Sequence, residues 1–365
     1  MKIIHCADLH LDSKLESNLT ADKAKMRRDE LLDTFERLVE FGEQQGVSAV
    51  MIAGDMFDKN HIRKLAKNRA LEIIESHPYI TFLYLKGNHD KTDFLADLEG
   101  DIPQNLKTFS EEEWTSYSFG EDDEVVITGR EINKNNSKML ATNLILDQAK
   151  INIVMLHGQE SDYVGNDKTE IINLNDYKNK YIDYLALGHI HSYKNERLDE
   201  RGEYCYSGCL EGRGFDECGD KGFVLLDIHD SVIDSEFIPF AYRRLHEVPV
   251  EITTDMDMPV ILAEIEKAIQ AISEKDLVKV VLEGNTDMDF DMDIPRILRT
   301  FEDRFFFFKI YDRTSPEIHY ESFVNDRSLK GEFVRLMQGE DLPEEERSQI
   351  IEIGMKAIMG EDIEE

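Results

Sequence analysis

Gly54-Asp55-Met56-Phe57-Asp58 and, one strand–helix unit later, Gly87-Asn88-His89-Asp90 are the two stretches that decide how this chain folds. Each follows an apolar run, Val50-Met51-Ile52-Ala53 and Phe82-Leu83-Tyr84-Leu85, of the kind that forms a strand buried on both faces. A glycine then lets the backbone turn, and polar side chains of ligand type follow at once. Loops beyond the carboxyl ends of strands in α/β sheets are where sites are built.

Three more strand ends repeat the pattern. Asp8-Leu9-His10 follows Lys2-Ile3-Ile4-His5-Cys6, His157-Gly158 follows the apolar run 151–156, and Gly188-His189-Ile190-His191 follows Tyr184-Leu185-Ala186-Leu187. Together they offer Asp8, His10, Asp55, Asn88, His157, His189 and His191. Imidazole nitrogen mixed with carboxylate and amide oxygen suits Mn2+, Fe2+ or Zn2+ and holds too few hard oxygens for Ca2+. Seven ligands exceed the need of one ion, whereas two ions sharing a carboxylate use them all. Asp55, on a central strand, is the natural bridge. Each motif alone is weak: Asp-x-His arises by chance, a lone His is more often structural, and Gly-Asn-His-Asp is also good turn chemistry. Their recurrence after five strand-like runs, in order, is what points to a metal site.

These five motifs, taken in this order, resemble the calcineurin-like metallophosphoesterases, and within them the SbcD branch of DNA-repair exonucleases, in particular its YhaO-like bacterial members. The opening 1–12, the helix carrying Arg27-Arg28, and Tyr206-Ser207-Gly208 share that likeness. The resemblance covers roughly residues 1–240. It implies an α/β fold, with central β-sheets flanked by helices as a metallophosphoesterase sandwich, a small α+β capping domain and a C-terminal helical segment. It places Asp8, His10, Asp55 and His191 on one divalent ion, and Asp55, Asn88, His157 and His189 on the other, with Mn2+ the expected metal and Fe2+ or Zn2+ the alternatives. His89 is then catalytic rather than a ligand, as general acid for the leaving oxygen or as a cation beside the phosphate. Asp90 or Asp58 is expected to orient it or a ligand His. Some relatives carry His where this chain has Asp58, which leaves open any role of that His in duplex processing.

Composition sets the bounds. At 365 residues, with 41% hydrophobic and 32% charged, the chain has room for one large α/β domain and a smaller one. No apolar run approaches the roughly 20 residues of a membrane span, and no secretory pattern precedes the first strand, so a cytoplasmic protein is expected. Cys6, Cys205, Cys209 and Cys218 lack zinc spacing and read as reduced structural thiols. A net charge of −34 is unlike that of a nucleic-acid binder. Against it stands one basic run, Lys59, Arg63, Lys64, Lys67 and Arg69, immediately after the Gly54 loop. It reads either as a DNA-backbone contact, with Lys59, Arg63 and Lys64 nearest the site, or as a solvated helix face.

The remainder of the chain reads in three parts: 1–240, 241–322 and 323–365. Thr20 caps a helix whose Leu31, Phe35, Leu38 and Val39 form one stripe, with Gly46 ending it; a second helix spans 64–76. Residues 137–148 look helical, and 204–207 and 222–228 read as strands completing the sheet. The connection 160–181 is long, polar and a candidate border of the site. The glycine-rich stretch 208–214 lacks the Gly-Lys-Ser/Thr ending of a P-loop and reads as a turn at the site rim, with Arg213 a candidate phosphate contact. Asp287, Asp289, Asp291 and Asp293 mimic a Ca2+ loop, but Met292 stands where Gly is needed and Leu298 where Glu is needed. Two amphipathic helices broken at 339–343 close the chain. They pack on their own domain or, as the family resemblance implies, bind an SbcC-type coiled-coil ATPase; a homodimer is also open. Three functions follow: a DNA exonuclease or endonuclease, a phosphodiesterase or phosphatase of nucleotides or other small phosphoesters, or a scaffold with a decayed site. The full ligand set argues against the last.

Overall fold

The computed structural model describes residues 1–15, 19–58, 62–90, 95, 102–133, 136–137, 139–161, 170–287, 290–317, 323 and 326–359. They divide into two compact units, Met1–Leu245 and His246–Glu365.

In the first unit, β1 (Lys2–Cys6), β2 (Val47–Ala53), β3 (Thr81–Leu85) and β4 (Leu106–Thr108) start one sheet. Between them run α1 (Ala21–Gln45) and α2 (Lys64–Glu75). α1 begins where a side chain satisfies its first free amides: Thr20 Oγ1 accepts from the Lys23 amide at 3.4 Å. It ends at Gly46, whose φ of 67° is the left-handed cap conformation that a glycine takes cheaply. The chain then builds a second sheet from β5 (Thr115–Phe119), β6 (Val125–Gly129) and β7 (Ile151–His157). After a two-stranded ribbon, β8 (Gln159–Glu160) with β9 (Ile171–Ile172), that sheet continues through β10 (Tyr184–Gly188), β11 (Lys194–Arg197) and β12 (Glu203–Tyr206). Finally β13 (Gly222–His229) and β14 (Val232–Pro239) return to the first sheet. The spatial orders are β14-β13-β1-β2-β3-β4 and β11-β12-β10-β7-β6-β5.

The two sheets pack face to face. Ile3, Met51, Leu83 and Leu85 from one meet Ile127, Ile153, Met155 and Ala186 from the other, all buried. Because β1, β2, β3, β7 and β10 are buried on both faces, their sequences are continuous apolar runs and not alternating ones. The outer face of the first sheet takes the stripe of α1 (Leu31, Phe35, Leu38) and Ala70 and Ile74 of α2. Side chains of that size stabilise by roughly 1.5–3 kcal/mol each when fully buried.

Two expectations are corrected. Residues 204–207 and 222–228 do not complete one sheet: β12 lies parallel to β10 in the second, and β13 antiparallel to β1 in the first. The stretch 137–148 is no α-helix; among its described residues only a 3-10 turn, Leu140–Asn143, forms. Its backbone carbonyls are taken by side chains elsewhere, Leu140 O by the Trp114 indole and Asp147 O by Asn152. Leu140, Ala141 and Leu144 still bury against the second sheet, so the apolar spacing is met without helical bonds.

The second unit holds β15 (Leu245–Ile252), α3 (Met258–Ile269), β16 (Leu277–Asp287), α4 (Ile294–Phe301), β17 (Phe307–Asp312) and β18 (Ser315–Glu317). Ile261, Ile265 and Ile297 of the helices cover Val278, Val280 and Leu282 of the sheet. Asp293 is the N-cap of α4, accepting from the Arg296 amide, which is the use its acidic stretch serves. Asp289 lies outside the described residues. α5 (Leu329–Gln338) and α6 (Glu344–Met359) form a hairpin with its own small core of Phe323, Val334, Ile351 and Met355. No helix among the described residues is long and apolar enough to cross a membrane.

Candidate metal centre

The carboxyl ends of β1, β2 and β3 in one sheet and of β7 and β10 in the other open into a single cluster, because each set is parallel. Bringing seven side chains together there bends the backbone hard. Asp8, His10, Asp55 and His189 take φ of 52°, 43°, 51° and 100°, left-handed values that cost of order 1–3 kcal/mol per non-glycine residue. Main-chain bonds hold them: Asp8 N to Gly54 O at 3.0 Å, His10 N to Asp55 O at 2.9 Å. The Asp90 carboxylate clamps two loops by accepting from the amides of Met56, Phe57 and Gly87 at 3.0–3.2 Å. Asp90 therefore positions the loops, and of the two carboxylates expected to orient a histidine it is Asp58 that bonds His89. Gly188 is required by close approach, since a Cβ there would lie 1.9 Å from Ala53 O.

The seven residues form two sets that share Asp55. In one, His10 Nε2 lies 3.3 Å from His191 Nε2 and 3.8 Å from Asp55 Oδ2, and His191 Nε2 lies 3.9 Å from Asp8 Oδ1. In the other, His157 Nε2 is 3.5 Å from Asp55 Oδ2 and 3.0 Å from Asn88 Oδ1, which is 3.2 Å from His189 Nδ1. Asp8, His10, Asp55 and His157 are at most 1% exposed.

What faces what decides whether cations fit. His157 Nδ1 is committed to Ala53 O at 2.9 Å and His191 Nδ1 to Glu217 Oε1 at 2.6 Å. Each ring thus turns the lone pair of Nε2 inward, toward carboxylate and amide oxygens or another imidazole. His10 Nδ1 is buried without a partner. Acceptors aimed at acceptors in a buried site repel unless protons or cations lie between them. The titration behaviour shows the same demand. Burial opposes a charge on His157, yet Asp55 and Asp8 raise its pKa to about 10. Burial pushes the Asp8 carboxyl up, and also disfavours a charge on Asp55, but the His157, His10 and His89 imidazoles hold Asp55 below its ordinary range. The donor set fits borderline divalent ions.

His89 stands beside this cluster. Its Nδ1 is 3.1 Å from Asp58 Oδ1, its ring lies at 87° to that of His10, and it is a third exposed. The hydrogen bond to Asp58 outweighs burial and raises its pKa.

Residues 1–193 match the family model described as calcineurin-like phosphoesterase. The chain belongs to that family. The metallophosphoesterase YhaO of Bacillus subtilis is 26% identical over 310 residues, 78% of this chain and 72% of that protein. The DNA double-strand break repair protein Mre11 of Sulfolobus acidocaldarius is 24% identical over 382 residues, 97% of this chain and 94% of the relative. Both accord with the SbcD/YhaO-like branch. A dimetal phosphatase from Danio rerio superposes with a TM-score of 0.40 at 11% identity, covering 63% of this chain and 93% of that one. The family fold binds two divalent metal ions, and the groups Asp8–His10–His191 and Asp8–Asp55–His157 converge closely enough to hold one.

Two carboxylates escaped the sequence reading. Glu217 receives His191 Nδ1, and Glu170 converges with His157 and His189. Neither sits in a strand-end motif, so only spatial proximity finds them. Of the basic run, Lys59 lies outside the described residues, as do His61 and His319. Arg63 donates to both oxygens of Asp12 through its Nε and its amide, and Arg69 pairs with Asp33 and Glu36. Lys64 is exposed. His5, His77 and His246 bond to Tyr184 Oη, Ile73 O and Asp276, outside the cluster.

Proposed function

We propose that this phosphoesterase hydrolyses DNA phosphodiester bonds, as a two-metal nuclease of the SbcD type acting in DNA repair, with Mn2+ as the working metal and Fe2+ or Zn2+ as alternatives. The observation that carries the chemistry is the sharing of Asp55 between two inward-facing ligand sets; the likeness to a break-repair protein along nearly the whole chain supports the substrate. Asp8, His10, Asp55 and His191 hold one ion, and Asp55, Asn88, His157 and His189 the other. Bound there, the pair supplies Lewis-acid polarisation of a phosphoryl oxygen and an acidified water. His89, with Nδ1 tied to Asp58, presents a protonated Nε2 to the leaving oxygen. Asp58 is oriented for this by Ser13 Oγ, which donates to it at 3.0 Å.

Residues 241–322 are read as a capping domain and 323–365, with α5 and α6, as a docking hairpin for a coiled-coil ATPase; a homodimer and a cytoplasmic setting complete the reading. The net charge of −34 favours a second reading, hydrolysis of nucleotides or other small phosphoesters, since Arg63 and Arg69 already have carboxylate partners. An assay with Mn2+ on labelled single- and double-stranded DNA beside bis(p-nitrophenyl) phosphate separates them. Cleavage of DNA supports the first, and turnover of small esters with intact DNA supports the second.

A further inference from the structure

We propose that Arg213 is a substrate ligand, holding a non-bridging oxygen of the scissile phosphate, with Glu217 as the residue that positions it. This rests on the phosphodiesterase reading and adds a residue to it.

Two arginines flank the same glycine-rich turn and use their donors differently. Arg27, 2% exposed, spends its guanidinium on the turn: Nη1 donates to Glu30 at 2.7 Å, and Nη2 to Gly212 O at 2.8 Å and Glu211 at 3.3 Å. Thr34 Oγ1 and the Tyr242 amide complete the shell of Glu211. That is a buried ion pair with every partner found, and it fixes the turn.

Arg213, the next residue after Gly212, points the other way. Its amide and Nη2 donate to the two oxygens of Glu217 at 2.7 and 2.9 Å. Nη2 also lies 3.2 Å from His191 Nδ1, but that nitrogen is already committed to Glu217. Nε is buried with no partner, and no hydrogen bond engages Nη1. A guanidinium has five N–H donors in a planar fork that matches phosphate. Leaving most of them unspent against a ligand histidine is costly for a purely structural arginine.

Its place in the cluster says what those donors meet. The His10 ring lies 5.1 Å from the His89 ring and 5.0 Å from the His191 ring, centroid to centroid. Arg213 abuts His191, so the His10 ring has His89 against it and, through His191, Arg213 close by. An anion resting on the cluster would lie near both His89 and the unspent donors of Arg213. Glu217, 7% exposed, binds His191 and Arg213 through the same Oε1, tying a metal ligand and a phosphate ligand into one unit.

The test uses the full chain loaded with Mn2+, comparing wild type, Arg213→Gln, and the double variant Arg213→Gln/Glu217→Gln, in which both amides can still bond to each other and to His191. Three quantities are read: bound metal, calorimetric affinity for inorganic phosphate, and kcat/KM on bis(p-nitrophenyl) phosphate and on DNA. For Arg213→Gln the expected result is unchanged metal content, phosphate affinity weaker by about 10–100-fold, and kcat/KM lower by about 10²–10³-fold on both substrates alike; the double variant, whose Glu217 change itself loosens metal retention, is read at saturating Mn2+. The double variant covers the case in which Arg213→Gln alone strands the buried Glu217 charge and unfolds. Phosphate affinity equal to wild type in a folded variant overturns the proposal. Loss of a metal equivalent overturns it too, making Arg213 a support for His191, and so does a loss confined to DNA, which would put Arg213 on a neighbouring phosphate. A wild type that turns over no phosphodiester refutes the underlying reading instead, and is told apart by the wild-type control.

Discussion

The two ligand sets that meet at Asp55 are built differently. On the His157 side the protein grips with main chain. His157 is enclosed, its Nδ1 is bonded to Ala53 O, and Cβ atoms at Gly54 and Gly188 would lie 2.0 and 2.8 Å from that Nδ1. On the His191 side it grips with side chains. His191 is a quarter exposed, its Nδ1 is held by Glu217, and Asp58, His89 and Arg213 gather around it and His10. Main-chain contacts cannot be rearranged without moving strands, whereas side-chain contacts can serve a ligand that comes and goes. His157 is held by main chain and His191 by side chains, although Asp8 and His10 beside His191 are as buried as His157.

That contrast can be broken at four points. His157→Ala should be the most damaging, costing the ion on the anchored side and at least about 10³-fold in kcat, since each 1.36 kcal/mol of lost stabilisation is tenfold and a metal supplies several. Metal analysis beside kinetics checks it. His89→Gln should keep both ions yet lose about 10²–10⁴-fold in kcat, the usual worth of a placed acid; a missing equivalent of metal would make His89 a ligand and erase the distinction. Glu217→Gln should weaken metal retention or activity by about 10–100-fold, the range for partners of ligand histidines, as read by chelator competition. Lys64→Ala should change little: if Lys64 touches a phosphate, the slope of log affinity for DNA against log salt flattens by about 1. Coincident salt curves would assign the basic run to a solvated helix face.

How much of this was legible in the sequence follows from the physics of each part. The convergence of the seven side chains was readable because a doubly buried strand is a continuous apolar run and its carboxyl end announces itself with glycine and polar residues. α1 was readable because Thr20 and Gly46 satisfy its ends locally. Glu217 and Glu170 were not, because a carboxylate placed by tertiary packing has no local signature. The division of strands between two sheets was hidden for the same reason: β13 pairs with β1 across more than two hundred residues. The pairing of the basic run was hidden as well, since the carboxylates beside Arg63 and Arg69 are Asp12, Asp33 and Glu36, well upstream.

The measurement that bears most directly on the account is the number of Mn2+ ions held per chain by the wild type and by Asp55→Ala, taken with DNA hydrolysis on the same samples and circular dichroism to confirm the fold. A bridging Asp55 predicts two ions and cleavage in the wild type, and in the variant neither tight ion nor cleavage with secondary structure intact. Two ions retained by Asp55→Ala, or a wild type that saturates at one, would contradict a centre built on a shared carboxylate.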